Sequence, residues 1–106
     1  MGFAEEMIQA VWEKARGTSE RDPTEWRKDQ CGAWLRREQY NHPDAEFGWK
    51  VLNVVPGGGD KIEDLQPFHW RNSYDIANGQ AHCQAIADRS GVAAGQSVGE
   101  PHNTIE

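Results

Sequence analysis

The sequence predicts an α+β domain, on the strength of one strand pattern, one glycine-rich loop and two flanking helical patterns. From Trp49 onward, Trp49, Val51 and Val55 fall on one side of a period-two pattern, with Leu52 and Val54 on the other. Both faces are largely apolar, which predicts a well-buried strand. Pro56 ends it, because proline has no N–H to give to a ladder. Gly57, Gly58 and Gly59 follow, and glycine accepts positive φ without steric cost. Asp64-Leu65-Gln66-Pro67 reads as a tight turn. Pro67 favours a helix start, and Trp70, Tyr74 and Ala77 share one helical face. Residues 68–78 are therefore predicted as a helix, with Asn78-Gly79 as its stop.

The other segments complete the prediction. Phe3, Met7, Ile8, Val11, Trp12 and Ala15 recur at helical spacing, so 3–16 reads as an amphipathic helix. Glu5 and Glu6 in its first turn and Lys14 and Arg16 in its last suit the helix dipole, and Gly17 closes it. A polar loop follows, in which Asp22-Pro23-Thr24-Glu25 starts a short helical turn leading to Trp26. Residues 29–40 hold a first strand, opened by Cys31 and Gly32 and formed by Ala33, Trp34 and Leu35. Asn41-His42-Pro43-Asp44 is a turn cluster. Residues 80–89 read as one more helix, carrying Ala81, Cys83, Ala85 and Ile86. Residues 90–106 are rich in Gly, Ser, Pro and Asn and read as a disordered tail. The expected organisation is one domain over 1–89, with a helix at 1–17, a core at 26–79 and a flexible tail over 90–106.

Gly48, Trp49, Pro56, Gly58, Gly59, Leu65, Gln66, Pro67 and Trp70 stand in a characteristic order and spacing. This stretch resembles the HNH endonucleases, specifically small members without zinc-binding cysteine pairs. Arg27-Lys28-Asp29-Gln30-Cys31-Gly32-Ala33 is similar to the family's upstream block. The resemblance covers Trp26 to Ala77, about half the chain, and implies a ββα-metal unit. It also implies where the chemistry would sit. The family has an aspartate that holds a divalent metal, followed by a histidine that acts as general base. Here those positions are Leu52 and Asn53. Leucine has no oxygen for a hard cation, and asparagine has no titrating group near neutral pH. The family's middle asparagine falls at Asp64 and its final motif residue at Ser73. The following Lys-Gly becomes Ile76-Ala77, and Trp34 stands where zinc-bearing relatives complete a cysteine pair.

Composition bounds the function. The chain has 106 residues and fits one small domain, with five Trp, three Phe and two Tyr to compensate for sparse aliphatic residues. Mean hydropathy is −0.85, low for a compact domain. No apolar run reaches the length of a membrane span, and no charged-then-apolar leader opens the chain. Cys31 and Cys83 read as free thiols in a reducing cytosol, so a cytoplasmic protein is expected. Seventeen acidic and 11 basic residues give a net charge of −6, which opposes non-specific nucleic-acid binding. Arg27, Lys28, Arg36 and Arg37 are the one basic cluster, and Asp29 and Glu38 interrupt it.

The expected function is that of a catalytically depleted HNH-like protein that binds a protein partner, or a second copy of itself through the apolar N-terminal helix. No cofactor is expected. The competing reading is a nuclease whose site is rebuilt from His69, Asn72, Asn53 and Asp64, which would take Mg or Mn. His69 is the candidate metal ligand in that reading, and a one-residue shift would bring Asn72 into the final motif position. A third reading is weak nucleic-acid binding through Arg27, Lys28, Arg36 and Arg37. The glycine loop lacks the Gly-Lys-Ser/Thr ending of a phosphate cradle, and Asp60, Glu63 and Asp64 read as solvated.

Overall fold

The structure of the protein, a computed structural model, describes residues 4–19, 21–57, 61–87 and 102–105. Ile8, Val11, Trp12 and Ala15 repeat at three- and four-residue spacing and are all buried. The first three lie on α1, Glu5–Trp12, which is shorter than the expected 3–16; Phe3 lies outside the described residues. Lys14 N–H donates to Val11 O and Ala15 N–H to Trp12 O, each 3.0 Å, and these i→i+3 bonds tighten the chain off the helix. Arg16 then exchanges two backbone bonds of 2.8 Å with Lys28. The backbone is thus already extended at Arg16, and Lys14 and Arg16 lie past the helix rather than in its last turn.

The described strands form four antiparallel pairs. β1, Trp26–Lys28, pairs with β2, Trp34–Arg36, and β3, Trp49–Asn53, pairs with β4, Leu65–His69. β5, Ser73–Asp75, pairs with β6, Gln80–His82, and β7, Ala85–Ala87, pairs with β8, Asn103–Ile105. One helix with these pairs makes the architecture α+β, in agreement with the sequence. The core lies between α1, β2 and the β3–β4 hairpin, and is built from Ile8, Val11, Trp12, Ala15, Leu35, Trp49 and Leu65. The Trp12 and Trp49 rings lie 5.3 Å apart, and Tyr40 meets Trp49 edge-on at 4.9 Å. Such aromatic pairs add to the large area each ring buries, which offsets the shortage of aliphatic side chains. Gly48 enters β3 where a Cβ would stand 1.9 Å from the His42 carbonyl oxygen, so only glycine fits. β3 is buried at Trp49 and half-buried beyond it, less than its two apolar faces suggest.

Several sequence expectations change. Residues 68–78 are not a helix: Phe68 and His69 complete β4, a turn follows, and Ser73–Asp75 is β5. The ladder to β3 holds Leu65–His69 extended, including the Leu-Gln-Pro segment that reads as a turn. Pro67 is tolerated opposite Val51 because each strand of a two-stranded ladder has an open edge. Asn78-Gly79 closes a hairpin instead of a helix, with Gly79 at φ 66°. Residues 80–87 are likewise β6 and β7 rather than helix, while 88 and 89 lie outside the described residues. Within 29–40 only Trp34–Arg36 is strand, followed by a 3-10 turn at Arg37–Gln39. The expected turn at 22–25 is present, with Trp26 N–H donating to Asp22 O at 2.8 Å, but it feeds β1.

Two further corrections concern distant residues. Cys31 and Cys83 are not free thiols: they form a disulfide, with 5.6 Å between their Cα atoms. The tail expected over 90–106 is ordered at Asn103–Ile105, which forms β8; residues 88–101 and 106 lie outside the described residues. Asn103 explains the docking. Its Oδ1 accepts from Trp34 N–H at 2.7 Å, and its Nδ2 donates to Trp34 O at 2.9 Å and Glu46 O at 3.0 Å. One side chain thus satisfies both backbone groups of Trp34, as a neighbouring strand would.

Candidate functional site

The motif positions lie on β3, β4 and the segments that leave them. Leu52 stands opposite Gln66 and Asn53 opposite Leu65. Asn53 Oδ1 accepts from Val55 N–H at 2.8 Å, an Asx-type turn that ends β3. Its amide is therefore used by its own backbone. Asp64 sits in the 3-10 turn Ile62–Asp64, and its carbonyl accepts from Val54 N–H at 2.9 Å. Ser73 is exposed at the start of β5, opposite His82. Gly58, Gly59 and Asp60 lie outside the described residues.

His69 and Asn72 belong to a different place. His69 closes β4 and is 2 % exposed, while Asn72 is fully buried in the next turn. Asn72 Nδ2 donates to Asp29 Oδ2 and to Ala85 O, each 2.9 Å. Its Oδ1 accepts from Gln84 N–H and Ala85 N–H, each 2.7 Å. Asp29 is buried too: Oδ1 accepts from Cys31 N–H at 3.0 Å and Ala33 N–H at 2.9 Å, and Oδ2 also accepts from His69 N–H at 3.0 Å. This network stitches the Asp29–Ala33 loop, the end of β4 and the start of β7 together. A buried carboxylate is held by such a set of N–H donors without a cationic partner.

The His69 ring takes part on both sides. Nε2 lies 2.6 Å from Glu46 O, and Nδ1 lies 3.0 Å from the Arg71 backbone N–H. A carbonyl only accepts and an N–H only donates, so Nε2 carries the proton and Nδ1 accepts. Burial holds the His69 pKa below its ordinary value, and the Glu46 carbonyl and Asp29 only partly oppose that. A metal could take Nδ1 only by displacing the Arg71 N–H. The candidates for a rebuilt site do not converge, because Asn53 and Asp64 flank the Leu65 end of β4 and His69 and Asn72 the other. Four residues of strand separate these ends, about 13 Å at the usual rise. Among the described residues no group of three or more His, Cys, Asp or Glu gathers as a cation site.

The basic cluster also divides. Arg27 donates to Pro23 O, Glu13 O and Ala15 O and lies 6.0 Å from the Trp12 ring centre, so it acts as a brace. Arg37 pairs with Glu5, bonds Gln9 and lies over Trp49. Register puts Lys28 opposite Trp34 and Arg36 opposite Trp26, and each cation covers the ring across from it, at 4.6 and 5.1 Å. Arg36 also pairs with Glu38. Arg27, between Trp26 and Lys28 on β1, points to the opposite face of that hairpin.

Sequence reasoning missed Asp29 as the centre of the buried network. It reads as an interruption in a basic run, and its only local signal is the Asp-x-Cys-Gly-Ala order, in which a carboxylate accepts from N–H groups two and four residues on. Comparison of the chain with protein-family models, with curated proteins and with solved structures returns no match.

Proposed function

We propose that this chain is a catalytically depleted protein on an HNH-endonuclease-like scaffold, acting by binding a protein partner rather than by cutting nucleic acid. The observation that carries this reading is that Asn53 and His69, two side chains a nuclease would offer to reaction, are engaged in holding the fold. Asn53 caps its own turn, and His69 uses both ring nitrogens within the chain. Leu52 brings no oxygen. The scaffold part of the reading rests on the sequence resemblance alone, since β3 pairs with β4 rather than with β2, and β4 and β5 stand where the helix of a ββα-metal unit is expected. The partner reading extends to a second copy of the chain. α1 offers that contact little, since Ile8, Val11 and Trp12 are already buried within the chain. Val55, Ile76, Ile86 and Ile105 are large apolar side chains that stay exposed. The disulfide favours an oxidising compartment over the expected reducing cytosol.

Plasmid nicking with Mg or Mn tests the reading. The wild type is expected to be inert, since loss of a general base alone removes about 10²–10⁴-fold. Metal-dependent nicking by the wild type, abolished by Asp64→Ala or by His69→Gln with the fold retained, would establish a rebuilt nuclease site and overturn it.

A further inference from the structure

Resting on the protein-partner reading above, we propose that the slot in which β8 lies is the docking site for an extended segment of that partner, and that β8 fills it in cis as a displaceable strap. β8 gives no residue to the core cluster. Its hold is polar: Asn103 Oδ1 accepts from Trp34 N–H at 2.7 Å, and Nδ2 donates to Trp34 O and Glu46 O. The Asn103 backbone N–H donates to Glu46 Oε2 at 3.0 Å. Most of these partners are main-chain groups, so any extended segment with an asparagine at this place would repeat the contacts. Ile105, opposite Ala85, stays exposed. Residues 88–102 separate Ala87 from Asn103, so no two-residue turn binds β8 to β7.

The slot outlasts the departure of β8, because β7 is anchored without it. Asn72 Oδ1 accepts from Gln84 N–H and Ala85 N–H, and Asn72 Nδ2 donates to Ala85 O. Ala87 N–H donates to Gly32 O at 3.0 Å. The disulfide to Cys31 fixes Cys83, two residues before β7. Ala85 and Ala87 thus turn backbone groups to the inner edge of β7. Ile86, opposite Thr104, serves the other edge, since ladder groups alternate along a strand. A strand edge held in place after its neighbour leaves is a template for a strand from elsewhere. β8 also leaves the slot partly empty. Between Pro43–Glu46, His69, Arg71 and Ile105 a space of about 260 Å³ stays open. Its walls mix polar Asp44, Glu46 and Arg71 with apolar Pro43, Ala45 and Ile105. A side chain larger than isoleucine, with an apolar body and a polar tip, suits such walls. The segment that fits best carries asparagine and, two residues on, tyrosine.

Titration of the full-length chain with a synthetic peptide of residues 101–106 tests the site, followed by calorimetry and by hydrogen exchange at the Trp34 amide. Two variants open the slot by different routes. Asn103→Ala removes the side-chain bonds to Trp34 and Glu46, and Thr104→Pro removes a backbone N–H from β8. The peptide is expected to bind both variants saturably and to slow the Trp34 exchange again. Binding to the wild type is expected to be about tenfold weaker or more, because the tethered strand competes at high effective concentration. Ile105→Tyr in the peptide is expected to tighten binding, and Asn103→Ala in the peptide to abolish it. Slow exchange at the Ala85 amide in both variants is expected, since β7 keeps its own anchors. Absence of saturable binding to both variants, binding indifferent to the peptide's asparagine, or a tyrosine peptide that binds no more tightly overturns the proposal. So does fast exchange at Ala85 in a variant that stays folded. None of these outcomes touches the protein-partner reading itself, which fails instead if the wild type nicks plasmid with metal.

Discussion

Asn72 makes hydrogen bonds with every polar atom of its side chain, and none of its partners is local. Asn72→Ala would strip Asp29 Oδ2 of one donor and leave the N–H groups of Gln84 and Ala85 without their acceptor. The expected loss is about 2–4 kcal/mol, from several buried groups left unsatisfied together. Urea denaturation of the variant checks it, and a change within about 0.5 kcal/mol, the range of an ordinary surface substitution, would refute it. His69 yields a pH dependence. Its pKa is lowered on folding from an ordinary 6.5, chiefly by burial. The unfolded chain therefore binds a proton that the folded chain resists, and stability rises with pH where the unfolded state holds more protons. Stability is full above about 6.5 and declines as pH falls from there toward the lower folded pKa. His69→Gln should flatten that part of a melting-temperature profile. An equal slope in both proteins would show that another group causes it.

At the level of elements, β8 departs most from the sequence reading. Its composition offers little apolar area, and Ile105 stays 44 % exposed, so burial does not hold it. Polar contacts do: Asn103 satisfies Trp34, its own N–H donates to Glu46 Oε2 at 3.0 Å, and β8 pairs with β7. Truncation after Ala87 should therefore lower the melting temperature and speed hydrogen exchange at the Trp34 amide. A truncated chain that melts like the full one would return the segment to the status of a dispensable tail. The same logic explains why 68–78 is misread. Trp70, Tyr74 and Ala77 do fit a helical face, but the β3 ladder and the Asn72 network outweigh a preference worth tenths of a kcal/mol per residue. Asn78-Gly79 is ambiguous by itself, since the same pair stops a helix or turns a hairpin.

Across the whole molecule, cohesion comes from tryptophan and a crosslink more than from aliphatic packing. Each of the five tryptophans carries a Lys or Arg over its ring, at 4.6 to 6.0 Å. Four of those cations are the residues that read as a basic cluster, so the cluster is largely packing. The disulfide ties residues 52 apart. Loop closure of that length is worth about 4 kcal/mol on the chain-entropy account. Reduction, or the paired change Cys31→Ser with Cys83→Ser, should move the denaturation midpoint accordingly. An unmoved midpoint would show that the Asp29–Asn72 network alone holds the β7 segment.

Some properties of this protein follow from its sequence alone. The α+β class, the apolar stripe of the N-terminal helix and the strand beginning at Trp49 are legible, because helical and strand periods are properties of neighbouring residues. So is the fact that Leu52 offers no side-chain oxygen and Asn53 no group titrating near neutral pH, since side-chain chemistry is the same in any fold. The tertiary structure decided the rest: that Leu65–His69 is a strand, that Cys31 meets Cys83, and that Asn103 docks on Trp34. Each depends on residues brought together across the chain. Asp29 and Asn72, 43 positions apart, show why. A carboxylate in a charged run and an amide in a polar run look solvated until the fold removes the water and leaves each as the other's partner.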